Sequence, residues 1–107
     1  MPVSPELARA YQAVVQSWKA GDVSALAPMA AVNFFMDRTG ENWKRELARL
    51  KTQVGACDTG PAIHALGAET GTFDWSCAKG RIKGRLLLAP PNDYKVQSVI
   101  YDAAPGG

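Results

Sequence analysis

The spacing of apolar residues changes once along this chain, at Gly60-Pro61, and that change constrains the fold more than any other feature. Ahead of it, apolar side chains recur every three or four residues, as on a helix buried along one face. Beyond it they alternate, as on a strand with one buried face. Helices first, then strands joined by close turns, read as an α+β domain with an antiparallel meander rather than an alternating α/β fold.

In the first half, Ser4 suits an N-cap, Pro5 the first helical position and Glu6 the positive helix end. Leu7, Ala10, Tyr11, Val14, Val15 and Trp18 make one stripe, and Gly21 stops the helix. Asp22 is placed to cap a short second helix over Val23–Met29, limited by Pro28, with a turn or short helical piece over Ala27–Asn33. A third helix is predicted over Glu41–Val54, with Trp43, Leu47, Leu50 and Val54 on one face, ended by Gly55. Its Lys44, Arg45, Arg49 and Lys51 read as a solvated face partly paired with Glu41 and Glu46.

In the second half, Ile63–Glu69 is a weak strand and Gly71–Ala78 a strong one, with Phe73, Trp75 and Cys77 on one side. Lys79-Gly80 turns the chain into Arg81–Ala89, Pro90-Pro91-Asn92-Asp93 makes the next turn, and Lys95–Asp102 is the last strand. Ala103-Ala104-Pro105-Gly106-Gly107 reads as a tail or linker stub, leaving one domain over residues 1–102. An excised domain and a complete small protein fit that ending equally.

Length and composition bound the function. A chain of 107 residues forms one domain, and folding at that size buries roughly 65% of the unfolded surface. Twelve basic against ten acidic side chains give a net charge of +2, not the concentrated excess of a nucleic-acid-binding domain. One histidine cannot build a multi-histidine metal site, and two cysteines alone cannot complete a structural zinc site. Neither a metal nor a cofactor is expected. No run approaches the roughly 18 apolar residues of a membrane span, and Met1–Pro5 lacks the basic and apolar regions of a secretory signal.

The segment Trp18-Lys19-Ala20-Gly21-Asp22-Val23-Ser24-Ala25-Leu26-Ala27, followed by helices and then a meander, resembles the NTF2-like (SnoaL/ketosteroid-isomerase-like) superfamily over nearly the whole chain. The resemblance implies a cystatin-like cone: about three N-terminal helices packed in a curved four-stranded antiparallel sheet, with a pocket at the open end. A narrower likeness rests on Asn33-Phe34-Phe35-Met36-Asp37, Leu47–Val54, Gly55-Ala56-Cys57 and Phe73-Asp74-Trp75-Ser76-Cys77. These segments resemble the small NTF2-like domains attached to exported beta-lactamase-like serine hydrolases, which lie outside the catalytic unit. The hydrolases' Ser-x-x-Lys nucleophile motif is absent. Cys57, after the third helix, and Cys77, on the core side of a strand, are either two buried thiols or a disulfide. The hydrolase likeness favours the disulfide and, with it, an extracytoplasmic setting, periplasmic or secreted; unbridged cysteines would mean a cytoplasmic one.

Asp37 is the candidate catalytic residue, because counting from Gly21-Asp22 places it near the general-base aspartate of NTF2-like ketosteroid isomerases. The same resemblance puts Val14 and Leu86 where the two oxyanion donors belong, and neither can donate a hydrogen bond. A polar cluster of Asp37, Asp74 and Tyr101 around one water is a further possibility, although Asp74 alternates away from Phe73 and Trp75. His64 reads as a solvent-facing strand residue. Trp18, Phe34, Phe35, Met36, Trp75 and Tyr101, with Val14 and Leu86, are candidate pocket-lining residues, the aromatics among them serving core and pocket together. Arg81, Lys83 and Arg85 share one strand face and are candidate anion contacts, or a solvated face offset by Asp74.

The expectation is a non-catalytic accessory or interaction domain. Its partners would be a fused or separate serine hydrolase domain, a second copy of the chain, or a small apolar ligand. A stand-alone isomerase or hydrolase using Asp37, and a free-standing lipophile carrier, are the alternatives.

Overall fold

In the first helix, α1 (Pro5–Ala20), the Ser4 hydroxyl accepts the Leu7 N–H at 3.1 Å and donates to the Ala68 carbonyl at 2.8 Å. One capping residue therefore also fastens the helix start to the sheet half. Gly21 closes α1 at φ 78°, a left-handed cap that glycine adopts without Cβ strain. The computed structural model describes residues 1–91 and 93–106. Asn92 of the expected Pro90–Asp93 turn and Gly107 of the expected tail lie outside the described residues.

The chain then departs from the expected second helix over Val23–Met29. Asp22 Oδ1 accepts from the backbone N–H and hydroxyl of Ser24, which holds a turn, and only Ala27–Met29 forms a single 3-10 turn. The second α-helix lies later, as α2 (Val32–Asp37), and α3 covers Gly40–Val54. Pro28 accounts for part of the shift, since it cannot donate within a continuing helix. Thr39 caps α3 by accepting from the Asn42 N–H at 3.2 Å.

Strands β1 (His64–Ala65), β2 (Thr70–Cys77), β3 (Gly80–Leu88) and β4 (Val96–Pro105) form one antiparallel sheet in sequence order. The weak strand expected over Ile63–Glu69 shrinks to two residues, because the Leu66 and Gly67 N–H groups both donate to Thr70 O and turn the chain early. The last strand runs beyond Asp102. Ala103, Ala104 and Pro105 lie opposite Ile82, Arg81 and Gly80, so most of the expected tail belongs to the sheet. Leu87 pairs with Ser98 but Leu88 with Val96, which leaves Gln97 as an extra residue. That bulge resets the alternation and lets both Val96 and Val99 face inward.

The helices cover the inner sheet face, where Trp75, Ile82, Leu86, Val14, Leu47 and Val96 are fully buried. A polar chain runs through this core. The Trp75 indole N–H donates to the Tyr11 hydroxyl at 2.9 Å, which donates to the Pro61 carbonyl at 2.7 Å. A disulfide joins Cys57 to Cys77, 20 positions on, and ties the end of α3 to β2. The architecture is thus α+β, three α-helices packed on a four-stranded antiparallel sheet. No helix among the described residues is long and apolar enough to cross a membrane.

Candidate ligand-binding cleft

The Ala31 N–H donates to the Val96 carbonyl at 2.8 Å, which pins the start of α2 against β4. Two turns of backbone later, Thr39 starts α3 in a new direction. A cleft of about 360 Å³ opens between them, within the usual range for small-molecule sites. Phe34 and Asp37 enter it from α2, Arg38 from the junction, Trp43 and Glu46 from α3, and residues 97–101 from the bulged start of β4.

Its walls are aromatic. Phe34 stacks on Trp43 with ring centres 5.5 Å apart and planes 6° apart, and Tyr101 meets Trp43 edge-on at 6.1 Å. The Arg38 guanidinium sits 4.7 Å from the centre of the Trp43 ring, a cation–π contact. Glu46 is gripped by Arg49 through both oxygens at 2.8 Å, and those hydrogen bonds hold its carboxyl below the usual carboxylate range. Arg38 reaches Glu46 only at 3.9 Å. Burial pushes the Tyr101 hydroxyl up, so it stays protonated at neutral pH. The Trp43 indole N–H is buried and has no hydrogen-bond partner among the described residues.

Three of the sequence-derived candidates meet here: Asp37, Phe34 and Tyr101. The others do not. Val14, Trp75 and Leu86, also expected to line a pocket, are fully buried core, whereas Trp18 borders a separate depression with Lys51, Gly55 and Cys57. The reason is that the space between helices and sheet is filled by tilted aromatic pairs, Trp18–Trp75 at 5.4 Å and Phe73–Trp75 at 4.7 Å. Phe35 packs edge-on against Phe34 and borders a shallow groove beside Asp22 and Lys44. Met36 is 78% exposed on the free side of α2.

The remaining polar candidates lie on the opposite face. Asp74 points outward and binds Arg81 at 2.8 Å, so it does not converge with Asp37 and Tyr101. Lys83 sits between Asp74 on β2 and Asp102 on β4 by register, whereas Arg85 faces Thr72 and Ile100. The ladder of Arg81, Lys83 and Arg85 is therefore a mixed-charge face, with Arg81 bonded diagonally to Asp74 and Lys83 opposite Asp74 and Asp102. His64 borders a shallow depression on that face with Lys83, Arg85 and Asp102, and no serine or cysteine lines it.

The cleft can bind, but its chemistry is limited. Among the described residues no histidine, cysteine or lysine lines it, and its polar side chains are two carboxylates (Asp37 and Glu46), two hydroxyls (Ser98 and Tyr101), the Gln97 amide and the Arg38 guanidinium. Among the described residues no three potential ligands cluster to hold a metal ion. Tyr101 is a donor beside Asp37 that the counting from Gly21-Asp22 did not assign to that role. Arg38, Trp43, Glu46 and the bulged residues were missed as site residues, and only the cap-forming Thr39 directly after Arg38 signalled a sharp junction there. Comparison of the chain with family models, curated proteins and solved structures finds no match.

Proposed function

We propose that this chain is a non-catalytic binding module of the NTF2-like kind, holding a small, largely apolar ligand in the cleft between α2, α3 and β4. The observation that carries the reading is a cleft of about 360 Å³ with Phe34, Trp43 and Tyr101 as walls and, among the described residues, no histidine, cysteine or lysine in its lining. Concave aromatic sites with a few polar groups bind more readily than they catalyse. The disulfide fits an oxidising, extracytoplasmic setting. Attachment to a beta-lactamase-like serine hydrolase, and pairing of two copies through the uncovered sheet face, belong to the same reading.

The test is a ligand screen on the isotope-labelled chain, following amide and indole N–H resonances, together with native mass spectrometry of freshly purified protein. The expected result is a co-purified small molecule or saturable shifts confined to α2, the start of α3 and β4. Shifts absent there, with a saturable partner elsewhere on the molecule, would overturn the reading.

One arrangement favours a second reading: Asp37 and Tyr101 in one cleft supply a carboxylate base and a protonated donor. An enzyme of that kind would exchange the α-protons of a bound ketone and lose the activity in Asp37→Asn, whereas the binding module does neither.

A further inference from the structure

Hydrogen-bond donors and acceptors are unequally matched in the cleft, and the imbalance specifies a ligand class. The Arg38 guanidinium makes no hydrogen bond among the described residues, and its nearest carboxylate, Glu46, is 3.9 Å away. Glu46 cannot close that distance cheaply, because both of its oxygens are held by Arg49 at 2.8 Å. The Trp43 indole N–H is buried without an acceptor, although Trp43 is only 6% exposed. A buried donor left unpaired is costly and rare in folded proteins. The Tyr101 hydroxyl is kept protonated by burial. Two donors at the cleft, the Arg38 guanidinium and the Trp43 indole N–H, thus lack a hydrogen-bond acceptor among the described residues, while the single uncommitted acid, Asp37, is exposed at the rim.

We infer that the cleft selects a small organic carboxylate on an aromatic or aliphatic body, with Arg38 as its charge partner. The body lies against Phe34, Val99 and Ile100, which form the apolar side of the same cleft. A planar guanidinium pairs with a carboxylate through two parallel N–H donors, a geometry that a neutral oxygen cannot reproduce. Arg49 offsets Glu46, so Arg38 is the cation left for a ligand, and Asp37 at the rim is the one acid that competes with it. Gripping the carboxylate draws Arg38 from its place over Trp43, so binding is reported by that ring.

The inference rests on the binding-module reading, and three probes of one ring size separate them: phenylacetate, benzyl alcohol and benzyltrimethylammonium. Each is titrated into the full chain at low salt, reading the Trp43 indole resonance and tryptophan fluorescence. Phenylacetate is expected to bind at least tenfold more tightly than either other probe. Arg38→Met, which keeps the apolar stem, should lose at least tenfold of that affinity; Arg38→Lys, which keeps the charge but not the fork, should lose less. Asp37→Asn should tighten phenylacetate severalfold by removing the rim acid. Benzyl alcohol binding in the cleft as tightly as phenylacetate would sink the carboxylate inference and leave the binding module standing. Equal or tighter binding of the ammonium probe, or an unchanged affinity in folded Arg38→Met and Arg38→Lys, would also overturn it. If none of the probes shifts any cleft resonance, the carboxylate site and the small-ligand reading fall together.

Discussion

Replacing Tyr11 by Phe removes one oxygen from the core and nothing else, which makes it a clean test of the packing described above. The hydroxyl accepts from Trp75 Nε1 at 2.9 Å and donates to the Pro61 carbonyl at 2.7 Å. Trp75 is fully buried, so its N–H would be stranded without water or protein partner. An orphaned donor of that kind costs about 1–3 kcal/mol. Pro61 is exposed, so water can replace the bond to its carbonyl and the further loss is about 1 kcal/mol. The total is about 2–4 kcal/mol, or a fall in Tm of about 10–25 °C for a domain of this size. Ring volume is unchanged, so no cavity contributes. Urea unfolding followed by circular dichroism and by tryptophan fluorescence measures the difference, with the slope m expected to stay constant. A loss below about 0.5 kcal/mol would mean that the Trp75 donor finds another acceptor and that the Tyr11 link between α1, β2 and the Pro61 loop is not a stabilising element.

Three further outcomes follow from the same packing. A Cβ on Gly84 would overlap the Phe73 ring on the inner sheet face, so Gly84→Ala should destabilise by about 1–3 kcal/mol; adding Phe73→Leu should recover part of it, read as a coupling between the two sites in denaturant titrations. Replacing both Cys57 and Cys77 by Ala opens a loop closed over 20 positions and should cost about 3 kcal/mol, checked against the oxidised parent in urea. Burial raises Tyr101 and Tyr11 above their ordinary value of 10.0, so above about pH 10 the unfolded chain releases these protons first; stability is full below that pH and falls above it, and Tyr101→Phe should flatten the alkaline limb of a Tm-against-pH curve.

The parts of the fold that were legible in the sequence are those set by local chemistry. Ser4-Pro5 and Gly21 bound α1 because capping and left-handed glycine are decided within a few residues. Phe73, Trp75 and Ile82 fell on the inner face because strand alternation is strict. The second helix was misplaced because Asp22 serves equally as a helix cap or as the acceptor of a turn, and the neighbouring Ser24 decided for the turn. Asp74 was read correctly as outward-facing by parity alone.

The cleft was legible only in part, and the cause is specific to how it is built. Core positions such as Val14 and Leu86 follow from period, but a concavity needs a place where period fails. Here that place is Gln97, the extra residue that lets Val96 and Val99 both face inward. The strand is thereby re-aimed at its start, just where the Ala31 N–H bonds Val96 and α2 begins. Aromatic pairs fill the space beneath β2 and β3, so on the helix-covered side of the sheet the cleft opens where the bulge and the α2–α3 junction meet. Asp37 follows from the count from Gly21-Asp22, and Phe34 from the aromatic run just before it. Arg38 and Trp43 were not found as site residues, because the feature that brings them to the site lies some sixty residues further along, on β4.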